Sequence, residues 1–231
     1  MRNLYLLLTV IAIFSCTDKP ADLVISGTIE DLKKGSLYLE KFQDTTMVII
    51  DSVYFNGDNT FKFERDLAEP EVLFLRLNKS KSDNNALAIF ADKGEIVVNS
   101  NLKNFVFDAK VTGSEQQKVL EEYLKIMSRF NDKNLDLIQE QLQKASEDST
   151  YIMNYDKQYS KLVTNKYLYT INFAINHKNS EVSPYLALTE IPDVNIKYLD
   201  TIYQVLTPKI RKSKYGVKLK ETLDELKRNH N

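Results

Sequence analysis

Thr112-Gly113-Ser114-Glu115-Gln116-Gln117 is where the chain changes its period. Before it, short apolar alternations stand between turn residues; after it, apolar residues return at three- and four-residue spacing. Ser114 is placed as a helix N-cap, and Gln117, three residues on, has the reach to bond back to it in a capping box. Val119, Leu120, Tyr123, Leu124, Met127 and Phe130 then fall on one helical face. A second helix is expected from about Leu135 to Ser146, with Leu135, Ile138 and Leu142 inward. Asp148-Ser149 caps a long third helix through Ile152, Tyr155, Tyr159, Leu162, Val163, Tyr167 and Ile171, ending near Asn176. Ser183-Pro184 and Thr207-Pro208 put proline at the first helical position, where its missing N–H is harmless. Asp193 opens the helix that carries Tyr198, Leu199, Ile202 and Leu206.

Upstream of the switch, eight segments read as strands: Leu23 to Ile29, Ser36 to Phe42, Met47 to Tyr54, Thr60 to Glu64, Val72 to Leu77, Ala86 to Ala91, Glu95 to Asn99 and Phe105 to Val111. Phe61 and Phe63 alternate with Lys62 and Glu64, which puts two rings on one face and two charges on the other. Lys34-Gly35, Asn56-Gly57-Asp58-Asn59 and Asp92-Lys93-Gly94 favour tight turns between antiparallel strands. The fold class is therefore α+β. An antiparallel β-sandwich or partly open barrel of about eight short strands (residues 23–112) precedes an all-helical segment (residues 113–231).

The N-terminus carries a different message. Met1-Arg2-Asn3, the apolar run Leu4 to Phe14, and Ser15-Cys16 follow the order of a secretory signal peptide, and a run this short falls below the roughly 20 apolar residues of a membrane-spanning helix. Ile13-Phe14-Ser15-Cys16 resembles the bacterial lipobox, with Phe14 bulkier than that pattern carries. That resemblance implies a signal over residues 1–15, cleavage before Cys16, acylation of the Cys16 thiol and new amino terminus, and a short tether over residues 16–22. Several acyl chains, each contributing about 0.8 kcal/mol per buried methylene, hold a protein on a bilayer where one lets it go. The alternative is an ordinary secreted protein with a chance cysteine at its cleavage site. Cys16 is the only cysteine in 231 residues, so no internal disulfide, Cys-x-x-Cys pair or thiolate zinc cluster can form. Without Arg2 the 31 basic residues fall to 30 against 32 acidic ones. A mature charge of about −2 sets up no field for polyanions, so nucleic acid is not expected as a partner.

Ile25-Ser26-Gly27-Thr28-Ile29, Gly35-Ser36-Leu37-Tyr38-Leu39, Ile50-Asp51-Ser52-Val53, Asn59-Thr60-Phe61-Lys62-Phe63, Glu69-Pro70, Ala88-Ile89-Phe90, Lys93-Gly94-Glu95-Ile96-Val97-Val98 and Val111-Thr112-Gly113-Ser114 come in a recognisable order. That order resembles the domain of unknown function that precedes thioredoxin-like (alkyl hydroperoxide reductase/thiol-specific antioxidant type) domains in Bacteroidetes-type lipoproteins. The likeness covers roughly Asp22 to Lys125, and the helical remainder is similar to the linker region of those proteins. In them a domain with a Trp-Cys-x-x-Cys site follows the helices. Here the sequence runs to Leu226-Lys227-Arg228-Asn229-His230-Asn231 with no tryptophan and no second cysteine, so no redox function is carried over.

Few groups offer chemistry. Of two histidines, His230 sits in an expected frayed end, and His177 ends the third helix, where a surface cap competes with a catalytic base. Asp51-Ser52 lacks the histidine a triad needs and reads more simply as a strand-edge pair bonding to nearby backbone. Asn56, Asp58 and Asn59 offer oxygens for calcium but no completing glutamate, and a turn accounts for them. Tyr151, Tyr155, Tyr159, Tyr167 and Tyr169 crowd the third helix. Tyr155, Tyr159 and Tyr167 are the candidate partner surface, since tyrosine buries a ring while keeping its hydroxyl wet, with core packing as the competing reading. Lys209-Ile210-Arg211-Lys212-Ser213-Lys214, with Lys218, Lys220, Lys227 and Arg228 beyond, is either an anionic-lipid contact or a solvated face paired with Glu221, Asp224 and Glu225.

The function expected from these observations is a non-catalytic lipoprotein of the cell envelope, held in the bilayer through acylated Cys16. It would bind another protein or a small ligand, with no cofactor and no metal. The resemblance hints at a thioredoxin-like envelope partner. The alternative from another class is an accessory or split component of a thiol-disulfide oxidoreductase system, and a carboxylate hydrolase is a weaker third reading. Cys16-Thr17-Asp18-Lys19-Pro20 lacks the acidic run that resembles a surface-export signal, which favours a periplasm-facing anchor.

Overall fold

The computed structural model describes residues 20–43, 45–78, 86–144 and 149–229. Cys16, Asp148 and His230 lie outside the described residues, as do the signal and most of the tether. The strands are β1 (Leu23–Glu30), β2 (Lys34–Gln43), β3 (Thr46–Asn56), β4 (Thr60–Arg65), β5 (Glu71–Leu77), β6 (Ala86–Ala91), β7 (Gly94–Asn101) and β8 (Lys110–Thr112). The helices are α1 (Glu115–Lys144), α2 (Ser149–Asn176), α3 (Val182–Thr189), α4 (Ile196–Val205), α5 (Pro208–Arg211) and α6 (Lys214–Asn229).

The eight strands form two four-stranded sheets, ordered β4-β1-β7-β8 and β3-β2-β5-β6. The open choice between sandwich and barrel resolves as a sandwich. Ile25, Phe61, Phe63 and Ile96 of the first sheet share one core with Leu37, Leu39, Leu75 and Ile89 of the second. The Phe61/Phe63 alternation places both rings inside, 5% and 2% exposed, with Lys62 and Glu64 outside.

Three strand-level expectations are corrected. The Lys34-Gly35, Asn56-to-Asn59 and Asp92-to-Gly94 signatures do not close hairpins, because each joins a strand of one sheet to a strand of the other. Turn residues permit a reversal, but where the apolar face points decides whether the next strand pairs or crosses to the facing sheet. Second, β1 and β7 pair in parallel, Leu23 against Gly94 through Glu30 against Asn101, so the first sheet is mixed. Third, Phe105 to Val111 is not a strand: β8 is only Lys110–Thr112. Phe105 belongs to a turn that plugs the core, held by the Ser100 hydroxyl donating to its carbonyl at 2.6 Å.

Helices cover the outer face of the second sheet. Val72 of β5 and Phe90 of β6 pack against Leu120, Tyr123, Phe173, Val182 and Leu186, so the β5–β6 half of this sheet is buried on both sides. A second helical core, including Ile171, Leu199, Ile202, Ile210 and Leu219, lies beyond. Ser114 caps α1 as expected, its hydroxyl accepting the Gln117 N–H at 2.9 Å. Gln117 does not reach back; its side-chain oxygen accepts the Phe90 N–H at 2.8 Å, fastening the helix to an edge strand. Gly113 at the switch has φ +100, a conformation that favours glycine.

The expected first and second helices are one helix of 30 residues. No glycine or proline interrupts it, and Asn131 to Asn134 are too weak as breakers to stop a helix that is packed on one side. Leu135, Ile138 and Leu142 face outward, 63%, 37% and 80% exposed. The packed stripe runs Leu120, Tyr123, Met127, Phe130, Asn134, Leu137 in strict three-four alternation, with Phe130 and Asn134 half-buried and the others buried, and the three expected residues fall off it. Pro208 is the first residue of α5, but Pro184 is the third of α3. Asn195, not Asp193, caps α4 by accepting the Lys197 N–H at 3.0 Å. Among the described residues, no helix is long and apolar enough to cross a membrane.

Candidate functional site

Between the second sheet and the helices lies a cleft of about 540 Å³. The strands supply Phe42, Val72 and Phe74, α3 supplies Tyr185 and Leu188, and the first turns of α6 supply Tyr215 and Val217. Leu37, Leu39, Leu73 and Leu75 fill the sandwich interior, so the alternate side chains of β5 and the end of β2 turn their rings toward the helices. Phe42 meets Phe74 edge-on at 5.5 Å. Deeper in, Phe90, Tyr185 and Tyr215 form a closed trio with centroids 5.2 to 5.6 Å apart. The Tyr215 hydroxyl accepts the Val72 N–H at 2.9 Å. Burial pushes the Tyr185 and Tyr215 phenols up, so both stay protonated.

Charges at the rim satisfy one another. The Glu71 carboxylate stands between Lys41, at 3.6 Å, and Lys214. The Lys214 N–H donates to Glu69 at 2.6 Å, and Lys218 pairs with Glu221 at 3.6 Å. An apolar, aromatic-walled space with a neutralised rim suits an apolar body better than an ionic one.

A second cavity of about 620 Å³, with several charged residues in its walls, lies where the loop before β5, the β6–β7 turn and α5 meet. Its walls include Glu69, Asp92, Lys93, Gln116, Glu181 and Lys209. Glu181 is 4% exposed and accepts from the Ser213 hydroxyl. Burial raises its carboxyl above the usual range against the lowering effect of that bond, with Glu69 and Asp92 adding to the rise and Lys209 opposing it. Gln116 accepts from the Ser180 hydroxyl at 2.6 Å and from the Glu181 N–H at 2.9 Å. Asp92 accepts the Gln116 N–H at 2.9 Å and bonds the Ser114 hydroxyl at 2.8 Å. These groups are spent on one another, tying the helices to the β6–β7 turn.

The residues singled out in the sequence lie elsewhere. Tyr155 and Tyr159 stack one helical turn apart at 6.1 Å, and Tyr159 is 44% exposed. Tyr159 and Tyr167 line a cleft of about 250 Å³ between α1 and α2 with Phe130 and Lys166, and Tyr155 is not among its walls. Tyr167 also packs against the helical core. The His177 ring stacks on Phe173 at 3.9 Å, its Nδ1 lies 2.9 Å from the Phe173 carbonyl, and its Nε2 lies 3.6 Å from Glu122. Asp51 accepts the Ser52 N–H at 2.7 Å and faces Arg65 at 3.8 Å, the local backbone role expected of a strand-edge pair. Asp58 accepts both the N–H and the hydroxyl of Thr60 at 3.0 Å, and those bonds hold its carboxyl below the usual range. In the basic stretch, Arg211 donates to the Gln204 carbonyl and covers the Tyr203 ring at 5.5 Å, while Lys220 pairs with Asp224. No group of three or more metal-ligating side chains comes together among the described residues.

Phe42, Phe74, Tyr185 and Tyr215 were not singled out as site residues. The signal for their cleft was present. Val72-Leu73-Phe74-Leu75 and Leu87-Ala88-Ile89-Phe90 are continuous apolar runs, which mark strands covered on both faces, and a doubly covered sheet needs a helical layer that can leave a gap.

Residues 23–120 match a family profile described as Domain of unknown function (DUF4369). The match takes in all eight strands and the first turns of α1. It includes Phe42, Val72 and Phe74 of the cleft and stops before Tyr185 and Tyr215. No curated protein and no solved structure matches the chain.

Proposed function

We propose that this chain is a lipoprotein of the cell envelope, acylated on Cys16, whose body is a binding module without chemistry of its own. Its ligand is apolar and sits in the cleft between the second sheet and α3 and α6. The observation that carries this reading is the cleft: about 540 Å³, aromatic on strand and helix sides, with paired charges at its rim. That volume falls in the roughly 300–1,000 Å³ range of small-molecule sites. The signal-like residues 1–15 and the tetrad Ile13-Phe14-Ser15-Cys16 support the anchor.

Two measurements test it. Metabolic labelling with an alkynyl fatty acid should tag the wild-type chain and leave Cys16→Ala untagged and released from the membrane fraction; equal labelling of both would remove the anchor. A photoactivatable long-chain alcohol, added to membranes carrying the protein, should give adducts on the strand and helix walls of the cleft. Val217→Trp fills the mouth from a residue 44% exposed, so the fold should tolerate it, and it should cut those adducts at least fivefold. Adducts unchanged by Val217→Trp would overturn the cleft as the binding site.

A further inference from the structure

The cleft and the exit point of the tether lie at the same end of the sandwich. The Gly94 N–H donates to the Asp22 carbonyl at 2.8 Å, and Lys93 pairs with Asp22 at 3.3 Å, which fixes where the N-terminal segment leaves the body. Asp92 and Lys93 join that point directly to Ala91, the last residue of β6, which pairs with Glu71 at the start of β5. Val72, the next residue, is a wall of the cleft. From Asp22 to β5 is thus one sheet-to-sheet spacing plus one strand-to-strand spacing, roughly 15 Å, with the helical layer beyond it. The six residue-to-residue steps from Cys16 to Asp22 reach about 20 Å when extended.

We infer that the cleft takes up one of the acyl chains carried by Cys16, so that the protein stows part of its own anchor. The inference rests on the acylation and cleft binding proposed above and names the occupant. Two observations select this occupant over a free lipid. Both cations that line the cleft already hold a carboxylate, Lys214 that of Glu71 and Lys218 that of Glu221, which disfavours an ionic head. A chain ester-linked to the glycerol on Cys16 arrives without an ionic head. The tether also keeps its acyl groups within reach of the mouth, and a short link raises the local concentration of its cargo to the millimolar range. Phe42, 51% exposed at the mouth, offers a ring for the chain to pass over.

The experiment feeds a diazirine fatty acid to cells making the full-length protein, irradiates them, and maps cross-links by mass spectrometry. An intramolecular cross-link from the Cys16 lipid to the segments bearing Phe42, Phe74, Tyr185 or Tyr215 is expected, falling at least fivefold in Val217→Trp. If the Cys16 lipid cross-links only to membrane lipids while a free diazirine fatty acid labels the cleft in Cys16→Ala, self-stowage is overturned and the cleft stands as a ligand site. If no lipid is found on Cys16, the acylation falls and this inference falls with it.

Discussion

Glu181 is the side chain whose burial sets the clearest pH dependence. Its folded-state pKa is raised, chiefly by loss of water, so the native state holds the proton more tightly than the unfolded chain. The stabilising effect is therefore complete below the ordinary carboxylate range and disappears as pH climbs through the raised value. Glu181→Gln keeps an acceptor for the Ser213 hydroxyl and removes the charge. It should raise the melting temperature at pH 7 to 8 and make no difference near pH 4; a variant less stable than wild type at pH 8 would refute this. Ser114 is 1% exposed and serves both as a cap and as a tie to Asp92 and Phe90. Ser114→Ala should cost about 1–2 kcal/mol in urea unfolding, the range for loss of an N-cap. Gly27 has no room at all: a Cβ there would stand 1.7 Å from the Val98 carbonyl oxygen. Gly27→Ala should destabilise by well over the ~1 kcal/mol typical of point changes, read as a shift in the urea midpoint. The capping role of Ser114 was legible from its neighbours in sequence, and the crowding at Gly27 was not, because Val98 lies far along the chain.

At the scale of elements, periodicity told strand from helix and said less about what each element would meet. Every strand segment but the last was placed within a few residues, because alternation is imprinted by the pleat itself. The far half of α1 shows the limit. Leu135, Ile138 and Leu142 keep helical spacing and are larger and more apolar than Asn134, yet Asn134 continues the packed stripe. What fixed the stripe was the register set upstream by Leu120 and Tyr123 against Phe173 and Leu186, a tertiary contact that no local window contains. Leu142→Lys should therefore change stability by less than about 0.5 kcal/mol. Leu137→Ala, at a residue 5% exposed, should cost about 2–5 kcal/mol. Chemical denaturation of the two variants side by side checks the assignment, and the reverse order would mean that α1 is rotated.

Across the whole molecule the layers run first sheet, second sheet, helices. The α+β order was readable, but the stacking was not, since three turn signatures that look like hairpins carry the chain between sheets. The cleft was hidden for the same reason. Its walls come from β2, β5, α3 and α6, spread from Phe42 to Glu221, and only the assembled layers bring them together. The parallel pairing of β1 with β7 has a further consequence. The flanks of β1 stay open until residue 60 supplies one neighbour, and the other arrives only beyond residue 94. A growing polypeptide thus carries an unfinished sheet centre through much of its synthesis, with slow, non-local closure and exposed edges of the kind that invite misassembly. Whatever escorts the nascent protein must shield Leu23 to Glu30 for the longest interval of any strand.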